Sequence, residues 1–254
     1  MEQADVSERH AMRGGRSDLA RYVRDLLRSA VLSGAYVSGR LPTEDDLIKT
    51  FAVSRNVVRA ALELLREENL IERARGAGTF VVVEKSTHDL ATAHDLAEDS
   101  NGTHRFRNVV IAAEFVAAPS IVAEALVCEP GDEVMLIDRV VEVDGEPMTL
   151  STHFLRSQIA GALRGADLSA DFYELLEQTA GIQVGKARLI IEAVAADDTV
   201  ARLLRVPPGS PLLLFQRLIH DAWGRPIALG FNRVRGDRLS LVSWLQRMET
   251  PGVG

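Results

Sequence analysis

The spacing of apolar residues changes along this chain of 254 residues, and the change restricts the possible folds more than any other feature. Between residues 19 and 68, apolar side chains recur every three or four positions, which is the period of amphipathic helices. From about residue 105 onward, short apolar runs end at Gly and Pro turns, which is typical of antiparallel hairpins. The pattern predicts an α+β protein with a helical first domain and a sheet-based second domain.

Charge is distributed unevenly between the two halves of the chain. Residues 1–85 carry 14 Lys and Arg against 13 Asp and Glu, whereas residues 86–254 carry 15 against 23. This asymmetry favours two domains with different tasks, although random drift of charge along the chain would also produce it. The overall net charge of −7 therefore does not exclude nucleic-acid binding by the first half.

Composition also indicates the compartment. The single cysteine, Cys128, excludes an internal disulfide framework and a cysteine-based structural zinc site. No apolar run is long enough to span a membrane, and the polar N-terminus lacks the apolar core of a secretory signal. We therefore expect a cytoplasmic protein with no metal site, no membrane partner and a disordered tail over residues 1–16.

Three helices and a hairpin are predicted over residues 17–84. The first helix follows a Ser-Asp cap and ends at Gly34, and the second begins after Thr43. The third covers residues 55–68, and two short strands follow it. The polar segment 85–104 contains a Ser-Asn-Gly break and is predicted to be a linker.

The second predicted domain, residues 105–247, contains a near-repeat. Gly131 precedes Arg139 by eight positions and Gly209 precedes Arg217 by eight. Each Arg lies in a predicted strand that is followed by a turn and a second apolar strand. Two similar hairpins predict a sheet with approximate two-fold symmetry, although two unrelated hairpins with common turn residues would look alike.

Three arginines lie on one side of the third predicted helix. At about 100° per residue, Arg59 and Arg66 fall within about 40° of Arg55 around the helix axis. The planar donor fork of guanidinium suits phosphate oxygens and guanine edges, so this row predicts a DNA-facing surface. Asn56 has the donor and acceptor needed to contact adenine or phosphate. On geometry alone, an ordinary solvated helix face is the alternative.

Basic residues and glycines meet at the tip of the predicted hairpin. Arg73 and Arg75 lie just before Gly76 and Gly78. Glycine allows a backbone to approach a DNA groove closely, although a Gly-x-Gly sequence is more often only a tight turn. The tip is therefore a second, independent indication of DNA binding.

Residues 40–81 strongly resemble the winged helix-turn-helix of GntR-type transcription regulators. The segment RLPTEDDLIKTFAVSRNVVRAALELLREENLIERARGAGTFV keeps the family's Leu-Pro-hydroxyl-Glu start, its Val-Ser-Arg and Val-Arg pairs, its Ala-Leu run and its Gly-x-Gly-Thr-Phe-Val wing. The resemblance implies a homodimer that binds double-stranded DNA at a palindromic operator. Repression is the commoner mode of action in this family.

The resemblance also implies a role for each matching residue. The implied DNA-binding residues are Arg40, Thr43, Arg55, Asn56, Arg59, Gly76, Gly78 and Thr79. The first two would contact backbone phosphates, the three on the helix would enter the major groove, and the last three would form the wing near the minor groove. Glu44 would orient an arginine or cap its helix. Asn56 replaces the family's usual Thr or Pro, which could alter base preference.

Residues 105–245 resemble, more loosely, the UTRA effector domain of the HutC-type branch of these regulators, which is related in fold to chorismate lyase. The match rests on the order and spacing of short motifs, among them Asp144-Gly-Glu-Pro, Phe172-Tyr-Glu-Leu-Leu and Arg235-Gly-Asp-Arg. The resemblance implies an antiparallel-sheet domain that binds a small-molecule effector and needs no cofactor.

The implied effector-binding residues are Arg139, Ser151, His153, Asp171 and Tyr173. The arginine would pair with a ligand anion, the two strand residues would hydrogen-bond the ligand, and the last two would close over it. Structural roles are the alternatives: a salt bridge for Arg139 and core packing for His153 and Tyr173.

Departures from the family pattern affect the ligand at Val141 and at two later polar contact positions, where this chain has Ala228 and Val234. Val141 stands where relatives that bind phosphosugars often carry a second arginine, so the phosphosugar itself is not carried over. Arg217 occupies the repeat-equivalent position of Arg139, and we expect it to be structural. The fewer donors favour a less anionic or more apolar ligand.

Two other classes of function compete with a regulator. An enzyme would need a positioned proton-transfer group, and the sequence offers only His153 with Asp171 or Glu192. The chain lacks a nucleophile elbow, a phosphate loop and His-x-x-x-His spacing, so we expect no catalytic residues. A DNA architectural protein with an inactive sensor domain would bind DNA and ignore every ligand.

Overall fold

The chain divides into two compact units, residues 1–85 and 86–254. The computed structural model describes residues 16–36, 38–74, 76–82, 86–89 and 105–243. The predicted tail, apart from Arg16, and most of the predicted linker lie outside the described residues. Within the described part of the chain, no helix is long and apolar enough to cross a membrane.

The first unit contains three helices followed by a two-stranded antiparallel hairpin. Its elements are α1 (Arg16–Leu32), α2 (Glu44–Phe51), α3 (Arg55–Glu67), β1 (Ile71–Ala74) and β2 (Gly78–Val81). The bounds of α2 and α3 agree with the predicted ones within one residue, whereas α1 already includes the predicted Ser17-Asp18 cap and begins three residues before the predicted start. Local signals explain the agreement, because helical periodicity and capping residues act through neighbours only a few positions away.

Helix α2 begins with a capping box. The Thr43 hydroxyl accepts a hydrogen bond from the Asp46 amide at 3.2 Å, and the Asp46 carboxylate accepts one from the Thr43 amide at 3.3 Å. This reciprocal pair satisfies amides that have no partner inside the helix. Ser54 is the N-cap of α3 by backbone position, but its side chain makes no capping hydrogen bond.

The core of the first unit lies between α1, α3 and the hairpin. Its most buried side chains are Val23, Leu27, Leu47, Val58, Ala61, Leu65 and Leu70. Glu68, at the end of α3, links α3 to α1 by hydrogen bonds. Its carboxylate accepts hydrogen bonds from Arg24 Nη1 at 2.6 Å and Arg28 Nε at 2.9 Å. These two hydrogen bonds outweigh burial and lower the pKa of Glu68.

The second unit is built on a six-stranded antiparallel sheet in the order β4-β5-β6-β9-β8-β7. Its strands are β4 (Phe106–Ala117), β5 (Glu133–Val143), β6 (Glu146–Arg156), β7 (Val184–Ala195), β8 (Pro211–Asp221) and β9 (Pro226–Arg235). Its helices are α4 (Ser120–Leu126), α5 (Ser157–Ala160), α6 (Phe172–Glu174) and α7 (Asp198–Leu204). A 3-10 turn, Gly161–Leu163, follows α5, and a π-type turn, Leu175–Thr179, continues α6.

The sheet contains a repeat longer than the two predicted hairpins. The start of β7 follows the start of β4 by the same interval that separates α7 from α4 and β8 from β5. The same interval separates Arg217 from Arg139. Both helices end at a residue in the left-handed conformation, Val127 and Arg205. The two β-α-β-β halves meet at the central pair β6–β9, so the sheet has the approximate two-fold symmetry that the repeat predicts.

The two sheet faces are covered differently. Helices α4 and α7 pack on one face against alternate apolar residues of the strands, such as Val134, Val140 and Leu229. The segment from α5 to α6 packs on the other face, where Ile137, Leu155 and Ile219 line the core. Because side chains alternate along a strand, Arg139 lies on this second face with Ile137.

A short parallel pair completes the second unit. Strand β3 (Ser86–Asp89) pairs with β10 (Leu239–Val242), and it lies inside the segment predicted to be a linker. Neither strand was predicted. Each is short and β3 is polar, so the pairing depends on a partner far away in the sequence and not on a local pattern.

Candidate DNA-binding surface and effector site

The exposed side of α3 carries the side chains predicted to read DNA. Arg55 and Arg59 keep 52% and 57% of their side-chain surface exposed, and Asn56 is also exposed. The buried side of the same helix holds Val57, Val58, Ala61 and Leu65. The structure therefore separates an apolar face from a basic face, as the helical spacing predicted. The third arginine of the predicted row, Arg66, forms an ion pair with Glu63.

Glu44, the first residue of α2, lies at the centre of three arginines. Its carboxylate is 2.9 Å from Arg59 Nε, 3.9 Å from Arg55 Nη1 and 3.7 Å from Arg73 Nη2. We call Arg55, Arg59 and Arg73 with Glu44 the arginine cluster. Only 19% of the Glu44 side chain is exposed, whereas each arginine is more than half exposed. The acid therefore holds three cations at the surface, in agreement with the predicted orienting role.

The cluster borders a groove between α3 and the hairpin. The groove has a volume of about 300 Å³. It is lined by Glu44, Arg59, Leu62, Glu63, Arg66, Ile71, Arg73 and Thr79. Arg59 from the helix and Thr79 from the predicted wing thus face one concave surface.

Thr43 lies beside this surface, but its hydroxyl is already engaged. The hydroxyl donates to the Asp46 carboxylate at 2.6 Å in addition to accepting from the Asp46 amide. This hydrogen bond from the hydroxyl, together with the one from the Thr43 amide to the same carboxylate, lowers the pKa of Asp46. The predicted phosphate contact of Thr43 stays a prediction, because the structure gives this residue a capping role and leaves its backbone near the surface.

The predicted wing is joined to the segment before α2. The Leu41 amide donates to the Thr79 carbonyl at 2.9 Å, and the Val81 amide donates to the Gly39 carbonyl at 2.7 Å. The Arg40 side chain crosses Gly78, where a Cβ atom would lie 3.0 Å from Arg40 Nε. The structure therefore brings the predicted phosphate contact Arg40 onto the wing. Arg75, at the predicted tip, lies outside the described residues.

The predicted effector residues of the sheet share one face and adjacent strands. Arg139 on β5 pairs in register with Ser151 on β6, and Ser151 pairs with Asn232 on β9. His153 lies two positions further along β6, opposite Gly230 on β9. The Ser151 hydroxyl donates to Asn232 Oδ1 at 2.7 Å. The structure thus brings together Arg139, Ser151 and His153, and adds Asn232.

Arg139 is fully buried and is held by the segment that precedes α6. Its Nη1 donates to the carbonyls of Ala170 at 2.9 Å and Leu168 at 3.3 Å, and its guanidinium lies 5.5 Å from the centre of the Phe172 ring. Asn108 on β4 donates to the same Ala170 carbonyl at 3.3 Å. These carbonyl contacts tie residues 168–170 to the sheet and give Arg139 a structural role.

His153 is buried and packs against an aromatic ring. Its imidazole stacks on Phe172 with the ring centres 3.8 Å apart. Burial, together with the positive charges of Arg139 and Arg217, holds the pKa of His153 well below its ordinary value of 6.5. The imidazole is therefore neutral at pH 7. Its Nδ1 has no hydrogen-bond partner within the described part of the chain.

Asp171 and Tyr173, predicted to close over a ligand, lie at the start of α6, and that role stays a prediction. Asp171 is the N-cap of α6, where its Oδ1 accepts hydrogen bonds from the amides of Tyr173 at 2.8 Å and Glu174 at 3.1 Å. Tyr173 is half-buried and meets the edge of Phe172 at 6.4 Å between ring centres. The side chain that α6 places against His153 is Phe172. Sequence reasoning missed this residue because the Phe-Tyr pair gave no sign of which ring faces inward.

The arrangement gives no support to acid–base catalysis by His153. The imidazole contacts a phenyl ring, and Asp171 caps its own helix. Glu192 pairs in register with Leu214 near the sheet edge and is exposed. Among the described residues, no three His, Cys, Asp or Glu side chains are grouped as a metal ion would require.

Family models match both units of the chain. The model for bacterial regulatory proteins of the gntR family matches residues 19–81, and the UTRA domain model matches residues 101–240. The chain is 27% identical over 209 residues to the HTH-type transcriptional repressor NagR of Bacillus subtilis, which covers 82% of this chain and 86% of that protein. It is 29% identical over 199 residues to the histidine utilization repressor of Pseudomonas aeruginosa, with 77% and 78% covered. The crystal structure of PhnF from Mycobacterium smegmatis shares the fold, with a TM-score of 0.64 at 24% identity over 89% of this chain and all of that one.

Proposed function

Because the chain belongs to the GntR family of bacterial regulatory proteins and carries a UTRA domain, we propose that it acts as a homodimer on a palindromic operator. The chain is a DNA-binding transcription regulator of the repressor type, not an enzyme, and its second domain binds a small-molecule effector. In the proposed complex, α3 of each subunit enters the major groove of one operator half. Since bacterial DNA lies in the cytoplasm, we propose that compartment for the protein.

The arginine cluster is the observation that carries the proposal for DNA. Arg55 and Arg59 project from the first turns of α3, which is the part of a recognition helix that reaches base edges. A guanidinium can donate two parallel hydrogen bonds to guanine, and Glu44 reduces the number of orientations that Arg59 samples before binding. DNA phosphates and bases then replace the carboxylate as partners of the exposed arginine nitrogens.

The wing supplies contacts of a second kind. Arg40 lies across Gly78, so that its guanidinium and the wing backbone form one surface. We assign Arg40 to a phosphate and the Gly76–Thr79 backbone to the adjacent minor groove. These contacts fix the register of the protein on the duplex, whereas base contacts by α3 provide sequence discrimination.

Effector control requires a difference in effector affinity between two states of the dimer. A ligand shifts DNA binding only if it binds the DNA-competent and DNA-incompetent states unequally. The polar face of the sheet under α6 is the proposed effector site, because buried polar side chains converge there beneath the segment that Asn108 and Arg139 contact. Ordering or displacing this segment is the proposed response to the ligand.

Substitution of Arg59 by Ala tests the DNA-binding proposal. The variant should lose about 1–3 kcal/mol of discrimination between operator and random DNA, because one bidentate base contact is removed. Fluorescence anisotropy of a labelled fragment from upstream of the gene measures both affinities at about 0.15 M salt.

Arg66→Ala is the matched control for this measurement. It removes an arginine from the same helix, but one that pairs with Glu63 outside the arginine cluster. Although Arg66 belongs to the predicted basic row, it lies about two turns beyond Arg59 and away from the first turns that reach base edges, so the control should weaken binding to both DNAs alike and retain most of the discrimination. Equal operator and random-DNA affinities in the wild-type protein, or equal losses in both variants, would contradict the proposed role of Arg59.

A panel of acidic, sugar-like and apolar metabolites added to the same assay tests effector control. A compound class that releases or tightens the wild-type complex supports the regulator. A wild-type complex that no class shifts favours the DNA architectural protein.

A further inference from the structure

Arg217, expected to be structural, is a buried cation with no partner in the described part of the chain. It lies on β8 with 8% of its surface exposed. The structure shows no ion pair and no hydrogen bond from its guanidinium to any described residue. Burying an unpaired charge is costly, so such a group is retained where something else compensates it.

The repeat makes this situation unusual, because Arg217 has a counterpart. Arg139 lies at the same position of the first half and is compensated by the carbonyls of Leu168 and Ala170. Those carbonyls belong to the segment that follows β6. No described residue accepts a hydrogen bond from Arg217 in this way, although Arg217 is also buried. One arginine of the pair therefore supports the fold, and the other keeps its donors available.

Two further polar groups without partners lie on the same sheet face as Arg217, on strands β9 and β6. Gly230 pairs in register with Arg217 on one side and with His153 on the other, so all three positions share one sheet face. Nδ2 of Asn232, two positions along β9, has no hydrogen-bond partner among the described residues, and neither has Nδ1 of His153. Asn232 and His153 keep only 1% and 3% of their surface exposed.

Gly230, which has no side chain, leaves room above β9 that the His153 imidazole occupies. A Cβ atom at this position would lie 2.7 Å from His153 Cδ2 and 2.9 Å from His153 Nε2. The imidazole therefore leans across β9 toward β8, in the direction of Arg217. The same hypothetical Cβ would be 3.8 Å from Asn232 Nδ2, so the amide borders the same space.

We propose that Arg217, Asn232 and His153 form an anion-binding subsite around Gly230, which takes a carboxylate or phosphate group of the effector. The proposal rests on the proposed effector function of the second domain. The guanidinium supplies charge and a planar donor fork, and the Asn232 amide supplies a further N–H donor. Arg139 then maintains the covering segment and is not the anchor that the family resemblance implied.

The charges around His153 predict that protons assist anion binding. The charged groups that face the imidazole are Arg139 on β5 and Arg217 on β8. Helix α6 packs the uncharged Phe172 ring against it and carries the Asp171 carboxylate at its own N-terminus. A bound anion offsets the positive field and makes protonation of His153 easier. Protonated imidazole donates from both nitrogens, so anion binding should strengthen as the pH falls below the ordinary histidine pKa of 6.5.

Thermal unfolding of the full chain with named anions tests the subsite. Both tryptophans, Trp223 and Trp244, belong to the second half of the sequence, so tryptophan fluorescence reports on this domain. The probes are sodium phosphate, sodium benzoate and neutral benzamide, with sodium chloride at matched ionic strength. We expect phosphate, benzoate or both to raise the Tm with increasing concentration beyond chloride and benzamide.

Arg217→Met should abolish this anion-dependent shift. Arg233→Met is the matched control, because it removes the same charge from neighbouring β9 on the opposite sheet face. It should keep the wild-type shift. If Arg217→Met does not unfold cooperatively, Arg217→Lys replaces it as the test variant. Lysine keeps the positive charge but lacks the planar donor fork of guanidinium. It should therefore weaken the Tm shift caused by benzoate more than the shift caused by phosphate.

Several results would overturn the subsite. They are a wild-type Tm that neither anion raises beyond chloride, an equal shift in Arg217→Met and the wild type, or an Arg217→Lys response identical to the wild type for both anions. A phosphate shift without a benzoate shift identifies a phosphate subsite, and the reverse identifies a carboxylate subsite. Operator binding by the wild-type protein, measured separately by anisotropy, tests the proposed function, so the two can fail independently.

Discussion

At the scale of the residue, the surroundings of a side chain decide its role more than its type does. Arg139 and Arg217 are the same residue at equivalent positions, yet one donates to backbone carbonyls and the other has no described partner. Arg139, Ser151 and His153 could be picked out from the sequence because polar residues stand out within apolar strands. Asn232 could not, because its contact with Ser151 joins positions 81 residues apart. Only the register of β6 against β9 reveals that contact.

The burial of His153 predicts a dependence of stability on pH. Its pKa is lowered in the folded state and ordinary, about 6.5, in the unfolded state, so the unfolded state binds the proton more tightly. The contribution of His153 is fully present above pH 6.5 and is lost as the pH falls through the folded-state pKa. Urea unfolding followed by tryptophan fluorescence should show this loss in the wild type and a weaker one in His153→Gln. Identical pH profiles for the wild type and His153→Gln would show that His153 does not carry the effect.

Glu44 predicts a change in DNA discrimination. Glu44→Gln removes a negative charge that DNA phosphates would meet, and it loosens Arg59. We expect tighter binding to random DNA and a smaller ratio of operator to random affinity. Anisotropy on both DNAs at several salt concentrations measures this ratio. Glu67→Gln, which makes the same charge change on α3 outside the arginine cluster, should leave the ratio near its wild-type value. A ratio that rises in Glu44→Gln would refute the orienting role.

At the scale of the element, local signals account for what could be predicted. In the first unit, α2 and α3 begin after the capping residues Thr43 and Ser54 and follow a 3.6-residue period, so their bounds were predictable. The parallel pair β3–β10 was not, because each strand is short and its partner is remote. The same is true of α5, which is a single short turn with no periodic signal. The packing of α6 on the sheet depends on Phe172, whose direction the sequence pattern does not encode.

The two wing glycines, Gly76 and Gly78, should differ in how much substitution by alanine destabilises the first unit. Gly78 has a φ of 116°, a conformation that an L-residue adopts only under strain, and a Cβ there would press on Arg40. Gly78→Ala should cost about 1–3 kcal/mol of stability in the first unit and weaken operator binding. Gly76→Ala, at φ 75° with open space around it, should cost less. Circular dichroism and anisotropy measure the two effects. A Gly76 variant as defective as the Gly78 variant would contradict the proposed contact with Arg40.

At the scale of the whole molecule, the sequence predicted two units and a symmetric sheet. The change of hydrophobic period and the Gly–Arg repeat were sufficient for both. The repeat proved longer than the hairpins, since β4 and α4 also have counterparts in the second half, β7 and α7. Those elements lack the repeated Gly–Arg spacing, and they could be matched only once the strands were aligned. Assembly lies beyond a single chain, so the homodimer stays a proposal.

The proposed homodimer makes a prediction about operator architecture. Two half-sites separated by about one helical turn should bind two chains in one step, because each recognition helix reads one half. Sedimentation of the complex gives the stoichiometry. Lengthening the spacer by about half a turn, or about five base pairs, should reduce affinity sharply, because the two half-sites then face opposite sides of the duplex. One chain per operator, or indifference to the spacer, would rule out this mode of binding.

In the duplicated sheet, one arginine stabilises the fold and its counterpart is the proposed ligand contact. Each half supplies an arginine at the same position. The covering segment between β6 and β7 accepts hydrogen bonds from the first of them, Arg139. The second arginine, Arg217, makes no such contact with the covering segment in the described part of the chain. On the proposed function, substitutions around it change ligand recognition without removing that contact. On the proposed function, a sheet with two equivalent positions supports its covering segment at one of them and binds the ligand at the other.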